Sequence, residues 1–413
     1  MSEPQPPDKE QPRFEGHDLH SPQYRKISIS LFLAGLATFA LLYDTQPVLP
    51  QISAHYGLRP DQAALSVSIS TIGLALALLF VGPISEVRGR TRIIFISLFA
   101  AGAVAICVGL APTWELMLLL RLIQGISVAG LPAVAMAYLT EEVHRSAQAR
   151  AAGLYIAGTA LGGMTGRLGV SAFAEVVGWR GGLIAMGVVA LLCAILVWRF
   201  LPRSQGFIPG ESGLANLAHR TSAIMRDPVL LGLFFIAAVG MGSFVGVFNI
   251  MGFRLEADPY GYSVGVVGLI FLVYALGSYS SAYAGKLAQK WGQRKVEPYA
   301  ISVMICGLLL TLAAPIWVII IGLAIFTAGF FATHGVASGW VAARARAGVG
   351  ATGQASSAYM FFYYLGSSIF GALAGTFWHW NTWLGVVLMA GVLLFTGLGV
   401  ALALRRVKPL GAR

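Results

Sequence analysis

Three charged residues stand deep inside long apolar stretches of the sequence: Asp44 in FALLYDTQPVLP, Arg121 in MLLLRLIQG and Arg167 in GGMTGRLGV. An ion in so apolar a setting must find a partner or face water, which makes each a candidate for chemistry. The chemistry open to an aspartate near two arginines is proton exchange. Desolvation favours the protonated carboxyl and a neighbouring arginine favours the ionised one, so a site whose surroundings alternate can take up and release a proton. A purely structural Asp44–Arg121 pair that locks two segments together is the other reading. His334, in AGFFATHGVAS, is a second group able to titrate near neutrality, although a packing histidine bonded to a backbone carbonyl fits the same sequence. Gln46, Gln124, Tyr138, Tyr155, Asn249, Tyr274 and Tyr363 are polar candidates for lining a substrate cavity. Tyrosine is equally at home in membrane interfaces.

What positions these residues is a set of membrane-spanning helices. Of 413 residues, 57% are apolar and 11% charged, too few charges for a soluble surface. The apolar residues gather in runs of about 18 to 25, the length that crosses a hydrocarbon core of roughly 30 Å. We place twelve helices, at 27–50, 63–84, 92–110, 114–139, 150–173, 181–200, 228–250, 263–284, 297–312, 316–340, 353–377 and 383–404. An all-α polytopic membrane protein is therefore expected. Of the 28 Lys and Arg residues, 23 fall in segments on the side of the termini, and Arg59, Arg180 and Arg254 fall in loops on the other. The positive-inside rule then places both termini in the cytoplasm. The net charge of +11 becomes a cytoplasmic collar and requires no nucleic acid partner. In this orientation Asp44 lies about 9 Å, and Arg121 roughly 10 Å, below the outer ends of their helices. Arg167 reaches a similar depth, so three distant segments place their buried charges in one layer.

The tail over 1–26 is polar and Pro-rich, with no cleaved signal expected in it. Cys107, Cys193 and Cys306 show no CxxC or His spacing, so neither a disulfide nor a metal site is expected. No HExxH or GxxxxGK[ST] motif occurs, and neither an enzyme nor a cofactor is expected.

One polar run recurs. GPISEVRGRTR at 82–92 is echoed by GKLAQKWGQRK at 285–295, pairing Gly82 with Gly285 and Gly89 with Gly292 at an offset of 203; Glu86 falls on Gln289. Gly162 and Gly166 are echoed by Gly371 and Gly375 at an offset of 209. The repeat implies two similarly oriented halves of six helices, over 27–200 and 228–404, joined by a cytoplasmic linker at 201–227 and followed by a tail at 405–413.

These residues resemble the major facilitator superfamily. Gly82, Glu86, Gly89 and Arg90 match its signature between helices two and three, while Val87 and Thr91 replace basic residues. Arg121, Gln124 and Gly125 resemble its R-x-x-Q-G element, and Gly153, Gly162 and Gly166 resemble the antiporter motif of helix five, with Arg167 in place of a proline. YDTQPVLPQIS, GGMTGRL and FNIMGFRL are most similar to a bacterial branch of the drug/proton antiporter kind, the YnfM type. The resemblance implies a 6+6 helical fold in the bacterial inner membrane, acting as a monomer. It implies secondary active transport of a small organic solute by alternating access, with proton-coupled efflux by antiport as the leading expectation. Coupled uptake of an anionic or sugar-like metabolite is the alternative, and a transporter-like sensor a third. The partners implied are the solute, protons and the lipid bilayer. It also implies a gate in which Glu86 and Arg90 meet Glu141 or Glu142, with Gly82, Gly89, Gly153, Gly162 and Gly166 permitting the motion. The bare alternative is that the 82–92 run is a turn held to the cytoplasmic side by its arginines.

Orientation is testable. In a background without Cys107, Cys193 and Cys306, Ala215→Cys is expected to react with an impermeant thiol reagent only after the cytoplasmic face is exposed. Labelling from the outer face of intact cells would reverse the topology.

Overall fold

Prolines, glycines and side-chain caps decide where the apolar runs begin and turn. The structure, a computed structural model, describes residues 14–207, 221–348 and 351–407. The expected tails and the expected linker lie partly outside the described residues. Helix α1, Pro22–Leu42, starts on a Ser21 cap that accepts from Tyr24 N at 3.1 Å, with Pro22 at the first helical position. The chain leaves the helix over 43–45, makes a 3-10 turn, Gln46–Val48, and resumes as α2, Leu49–Tyr56. This corrects the unbroken helix expected over 27–50. Pro47 and Pro50 lack the N–H groups that would bond the carbonyls of Tyr43 and Gln46, so the helix opens there.

Helix α3, Pro60–Arg88, is separated from α4, Arg90–Leu110, by Gly89 alone, at φ 88 and ψ 142. Gly82 lies inside α3, so the turn expected to begin there is carried by Gly89, in a region that L side chains rarely adopt. Next come α5, Trp114–Val128; α6, Gly130–Glu142; and α7, Arg145–Phe200. The second part contains α8, Pro228–Glu256; α9, Val264–Gly268; a 3-10 turn, Leu269–Tyr274; α10, Ala275–Trp291; α11, Gln293–Leu310; α12, Ile316–Gly348; and α13, Thr352–Leu404. Gly292, between α10 and α11, adopts φ 85 and ψ 143. The sequence repeat between Gly89 and Gly292 is thus a repeat of backbone conformation.

Among the described residues no strand forms, and nine helical stretches are long and apolar enough to cross a membrane. Two of these, α7 and α13, have 56 and 53 residues, well over twice the roughly 20 that one crossing needs. Each leaves helical geometry near its middle: α7 at Gly178, α13 at Asn381 and Thr382. Helix α11, which opens with Arg294, Lys295 and Glu297, is not among the nine.

Helix α1 lies along α7, and α7 also packs on α4; α8 lies along α13, and α11 along α12. Backbone proximity explains the glycines at these seams. A Cβ on Gly162 would overlap Leu36, and one on Gly166 would overlap Ala40, both on α1. Gly375 meets Asp61 and Pro60 in the same way, where α13 crosses α3. Gly153 differs: a Cβ there meets nothing within 4 Å. Arg254 is also corrected, from outer loop to helix. Helix α8 continues to Glu256, and Arg254 is buried, donating to Thr311 O at 2.5 Å and Ala313 O at 2.9 Å. Those carbonyls lie just past the end of α11, where helical partners run out.

Gly166→Ala is expected to force α1 and α7 apart at a cost of ~1–3 kcal/mol, as overpacking does, while Gly153→Ala should leave stability unchanged. Thermal unfolding of the detergent-solubilised variants compares them; equal melting temperatures would contradict the packing argument.

Candidate functional site

The break after Leu42 does two things: it sets Asp44 off the helix and leaves the last carbonyls of α1 without helical donors. Arg121 of α5 answers both. Its Nη1 donates to Asp44 Oδ1 at 2.5 Å and to Gln124 Oε1 at 2.8 Å, its Nη2 to Leu42 O at 3.0 Å, and its Nε to Ser66 O of α3 at 2.7 Å. Gln124, one helical turn on, donates to Asp44 Oδ2 at 3.0 Å and Leu41 O at 3.2 Å. Asp44, Arg121 and Gln124 are all fully buried. Both carboxylate oxygens therefore carry a donor, and the guanidinium ties α1, α3 and α5 to one point. Gly125 lets α5 come this close, since a Cβ there would collide with the backbone of Ser70. Gln124, expected to line a cavity, belongs instead to this charge cluster.

Arg167 is not joined to that pair. Its Nε donates to Gln46 Oε1 at 2.6 Å and its Nη1 to Gly163 O. The guanidinium carbon lies 4.6 Å from the ring centre of Tyr43, 4.8 Å from that of Tyr274 and 5.4 Å from that of Phe271, within the range of cation–π attraction. No carboxylate pairs with it among the described residues. Gln46 donates onward to Asn249 Oδ1 at 2.7 Å, and Asn249 to Gly371 O at 3.0 Å. Arg167, Gln46 and Asn249 thus form a hydrogen-bonded chain from α7 to α8 and α13. The hydroxyl of Tyr274, beside Arg167, is buried without a partner.

The other expected residues lie apart from this layer. His334 Nδ1 sits 3.0 Å from Tyr359 Oη, with its ring centre 4.8 Å from that of Tyr363. Tyr155 is buried on α7. Tyr138, expected in a cavity, donates to Pro202 O at 3.1 Å and is fully buried, which corrects that placement. Near Gly89, Arg90 meets Glu141 at 3.1 Å and also bonds Ser85. Glu86 makes no hydrogen bond or ion pair among the described residues, so it does not join this contact. Glu142 points elsewhere: it is buried and accepts from Ser204 Oγ and from the N–H groups of Gln205 and Gly206, both at 2.8 Å. The sequence reading missed Glu297 on α11, which is fully buried. Its signal was available in Pro298, which follows it at the start of an apolar run.

Among the described residues, the hydrogen bonds between the chain's two parts gather at the end opposite Gly89 and Gly292. They are Gln46 with Asn249, Gln51 with Glu256 at 2.9 Å, Glu175 with Gly265 N at 2.8 Å, Tyr43 with Ser367 at 3.4 Å, and Thr71 with Ser368 at 2.7 Å. Among the described residues no hydrogen bond or ion pair joins the two parts at the turn end.

An all-helical body with buried charge at a seam between two repeated parts is the architecture of a membrane transporter, and the comparisons agree. The Major Facilitator Superfamily model matches residues 27–371, and the chain belongs to that superfamily. It is 42% identical over 386 residues to the inner membrane transport protein YnfM of Escherichia coli (strain K12), covering 94% of this chain and 92% of YnfM. It is 38% identical over 378 residues to the uncharacterized MFS-type transporter YybF of Bacillus subtilis (strain 168), covering 92% and 93%. In fold it is similar to a bacterial homologue of the human lysosomal transporter Spinster in an inward-facing, occupied conformation, with a TM-score of 0.79 at 16% identity, covering 94% of this chain and 99% of that one. The protein is a multi-pass membrane transporter.

Removing one member of a buried ion pair strands the other, at about 3–5 kcal/mol. Arg121→Ala is therefore expected to unfold or sharply destabilise the protein in detergent, and the double variant with Asp44→Asn to recover part of the loss. A double variant no more stable than Arg121→Ala would show that the pair does not carry this energy.

Proposed function

We propose that the protein is a proton-coupled secondary transporter that exports a small organic solute by antiport across the bacterial inner membrane, with Asp44 as the coupling acid. The observation that carries this is the fully buried Asp44–Arg121–Gln124 cluster at the break in α1. Protonating Asp44 removes the charge that holds Arg121, and loosens a point where α1, α3 and α5 meet. A proton can thus be converted into helix movement. In this reading α7 and α13 each fold back at their breaks, α11 also spans, and twelve crossings form two halves of six with both termini cytoplasmic. The basic collar supports that orientation, and the conformation is then the one closed to the outside. The Arg90–Glu141 contact acts as a latch that changes partners as the cytoplasmic side opens and closes. The protein works as a monomer.

A specific observation favours one class of solute. Arg167 has no acid partner and lies where α7 meets the second part of the chain, beside the free hydroxyl of Tyr274. A carboxylate or other organic anion would satisfy both donors, whether moved outward or, in the second reading, taken up.

The test is intravesicular pH in proteoliposomes loaded with a pH-sensitive dye and given benzoate as the anionic probe or ethidium as the cationic one. The expected result is proton movement with benzoate that Asp44→Asn abolishes while benzoate still shifts the protein's melting temperature. Proton movement by Asp44→Asn at the wild-type ratio would make Asp44 structural.

A further inference from the structure

Glu297 is the buried acid that the mechanism above leaves unused. It is the fifth residue of α11, fully buried, and neither of its carboxylate oxygens has a hydrogen-bond partner. Asp44, equally buried, has a donor on each oxygen and a cation besides. The surroundings of Glu297 make the contrast sharper. Around its chain neighbour Val296, helix α10 contributes the apolar Ala284, Leu287 and Ala288 to the packing, and α12 contributes Ala332 and Val336. The basic residues of its own helix, Arg294 and Lys295, line a cleft at the helix start, and Arg294 lies over the ring of Trp340 at 5.9 Å. The titratable group within electrostatic reach of Glu297 is Tyr359 of α13, and His334 of α12 has its Nδ1 3.0 Å from the Tyr359 hydroxyl.

An ionised carboxylate with neither a cation nor a hydrogen bond cannot be held away from water, whereas a neutral carboxylic acid can, at the cost of an ordinary buried polar group. The position matters as well. Glu297 lies about 6 Å along α11 from the Gly292 turn, and Tyr359 about 10 Å from the start of α13. That is the end where, among the described residues, no hydrogen bond or ion pair joins the two parts of the chain. The Asp44 cluster lies toward the opposite, closed end.

We propose that Glu297, Tyr359 and His334 form a second proton-binding site, in which Glu297 carries the proton in this conformation and releases it when the helices of the second half shift. As the carboxyl closes on Tyr359, its O–H bond breaks and the proton passes to the tyrosine oxygen. The tyrosine's own proton moves to His334 Nδ1, leaving a carboxylate and an imidazolium with the total charge unchanged. The two proton sites then serve the two ends of the molecule. Only this last step rests on proton coupling as proposed above; the protonation of Glu297 does not.

Infrared difference spectroscopy of the purified, membrane-reconstituted protein during pH steps tests the site without any solute. The wild type is expected to show the carbonyl band of a protonated carboxyl group at neutral pH, Glu297→Gln to lose it, and Asp44→Asn to keep it. A band unchanged in Glu297→Gln overturns the proposal. Should that variant fail to fold, Glu297→Asp and Tyr359→Phe must each displace the band, and no displacement in either overturns it equally. Exchange is tested by the pH dependence of the distance between spin labels at Glu86→Cys and Gln289→Cys. Two titration steps are expected in the wild type and one in Glu297→Gln; two steps in both would leave Glu297 an inert buried acid. Failure of the Asp44 reading would show separately, as wild-type proton movement by Asp44→Asn with the Glu297 band in place.

Discussion

An ion placed in an apolar interior must be compensated on every side, and here one guanidinium meets that demand for several elements together. Arg121 bonds a carboxylate, a side-chain amide and backbone carbonyls from two segments. The carbonyls of Leu41 and Leu42 are available because Pro47 and Pro50 interrupt the helix beyond them. The prolines, the acid and the Arg-x-x-Gln spacing are thus parts of one object, and none is satisfied without the others. Through that interdependence a change of one charge alters the hydrogen bonding of three helices.

The two repeated turns show how a duplicated element diverges in chemistry while keeping its backbone. Gly89 and Gly292 differ by a few degrees in φ and ψ. Around the first, Arg90 is engaged by Glu141 and lies 5.7 Å from the Phe207 ring centre. Around the second, Gln289 replaces the acid, and Arg294 and Lys295 line an open cleft with Trp291, Trp340 and Arg405. The ion pair found in that part among the described residues, Arg344 with Asp227 at 2.8 Å, joins α12 to the cap of α8 instead. Among the described residues, the first turn is clasped by an ion pair and the second only by Arg294 over the Trp340 ring.

Much of this was legible in the sequence, and the failures have a common cause. Hydrophobic runs located the long helices, and counting residues from their ends put Asp44 and Arg121 at one height. Such counting fixes height along an axis but not the face of the helix. It therefore grouped Arg167 with Asp44, although the broken helix turns Gln46 toward Arg167 in its place. Tyr138 was read as cavity-lining for the same reason, when it faces Pro202. Gly82 was assigned to the turn because glycine next to proline usually marks one, but the helix continues until Gly89. Glu297 escaped notice because it fell at an expected helix boundary, where an acid is ordinarily solvated; its burial comes from α10, α12 and α13 closing around the start of α11.

The end opposite the two turns is joined by amides, hydroxyls and two N–H contacts to carboxylates, with no pair of opposite charges across it among the described residues. Ionic strength has little leverage on contacts of this kind, because screening weakens interactions between charges and leaves neutral hydrogen bonds largely unaffected. Each bond is also exchanged for one to water on opening, at a net ~0.5–1.5 kcal/mol. These contacts can therefore hold against changes in salt and still separate at a modest cost.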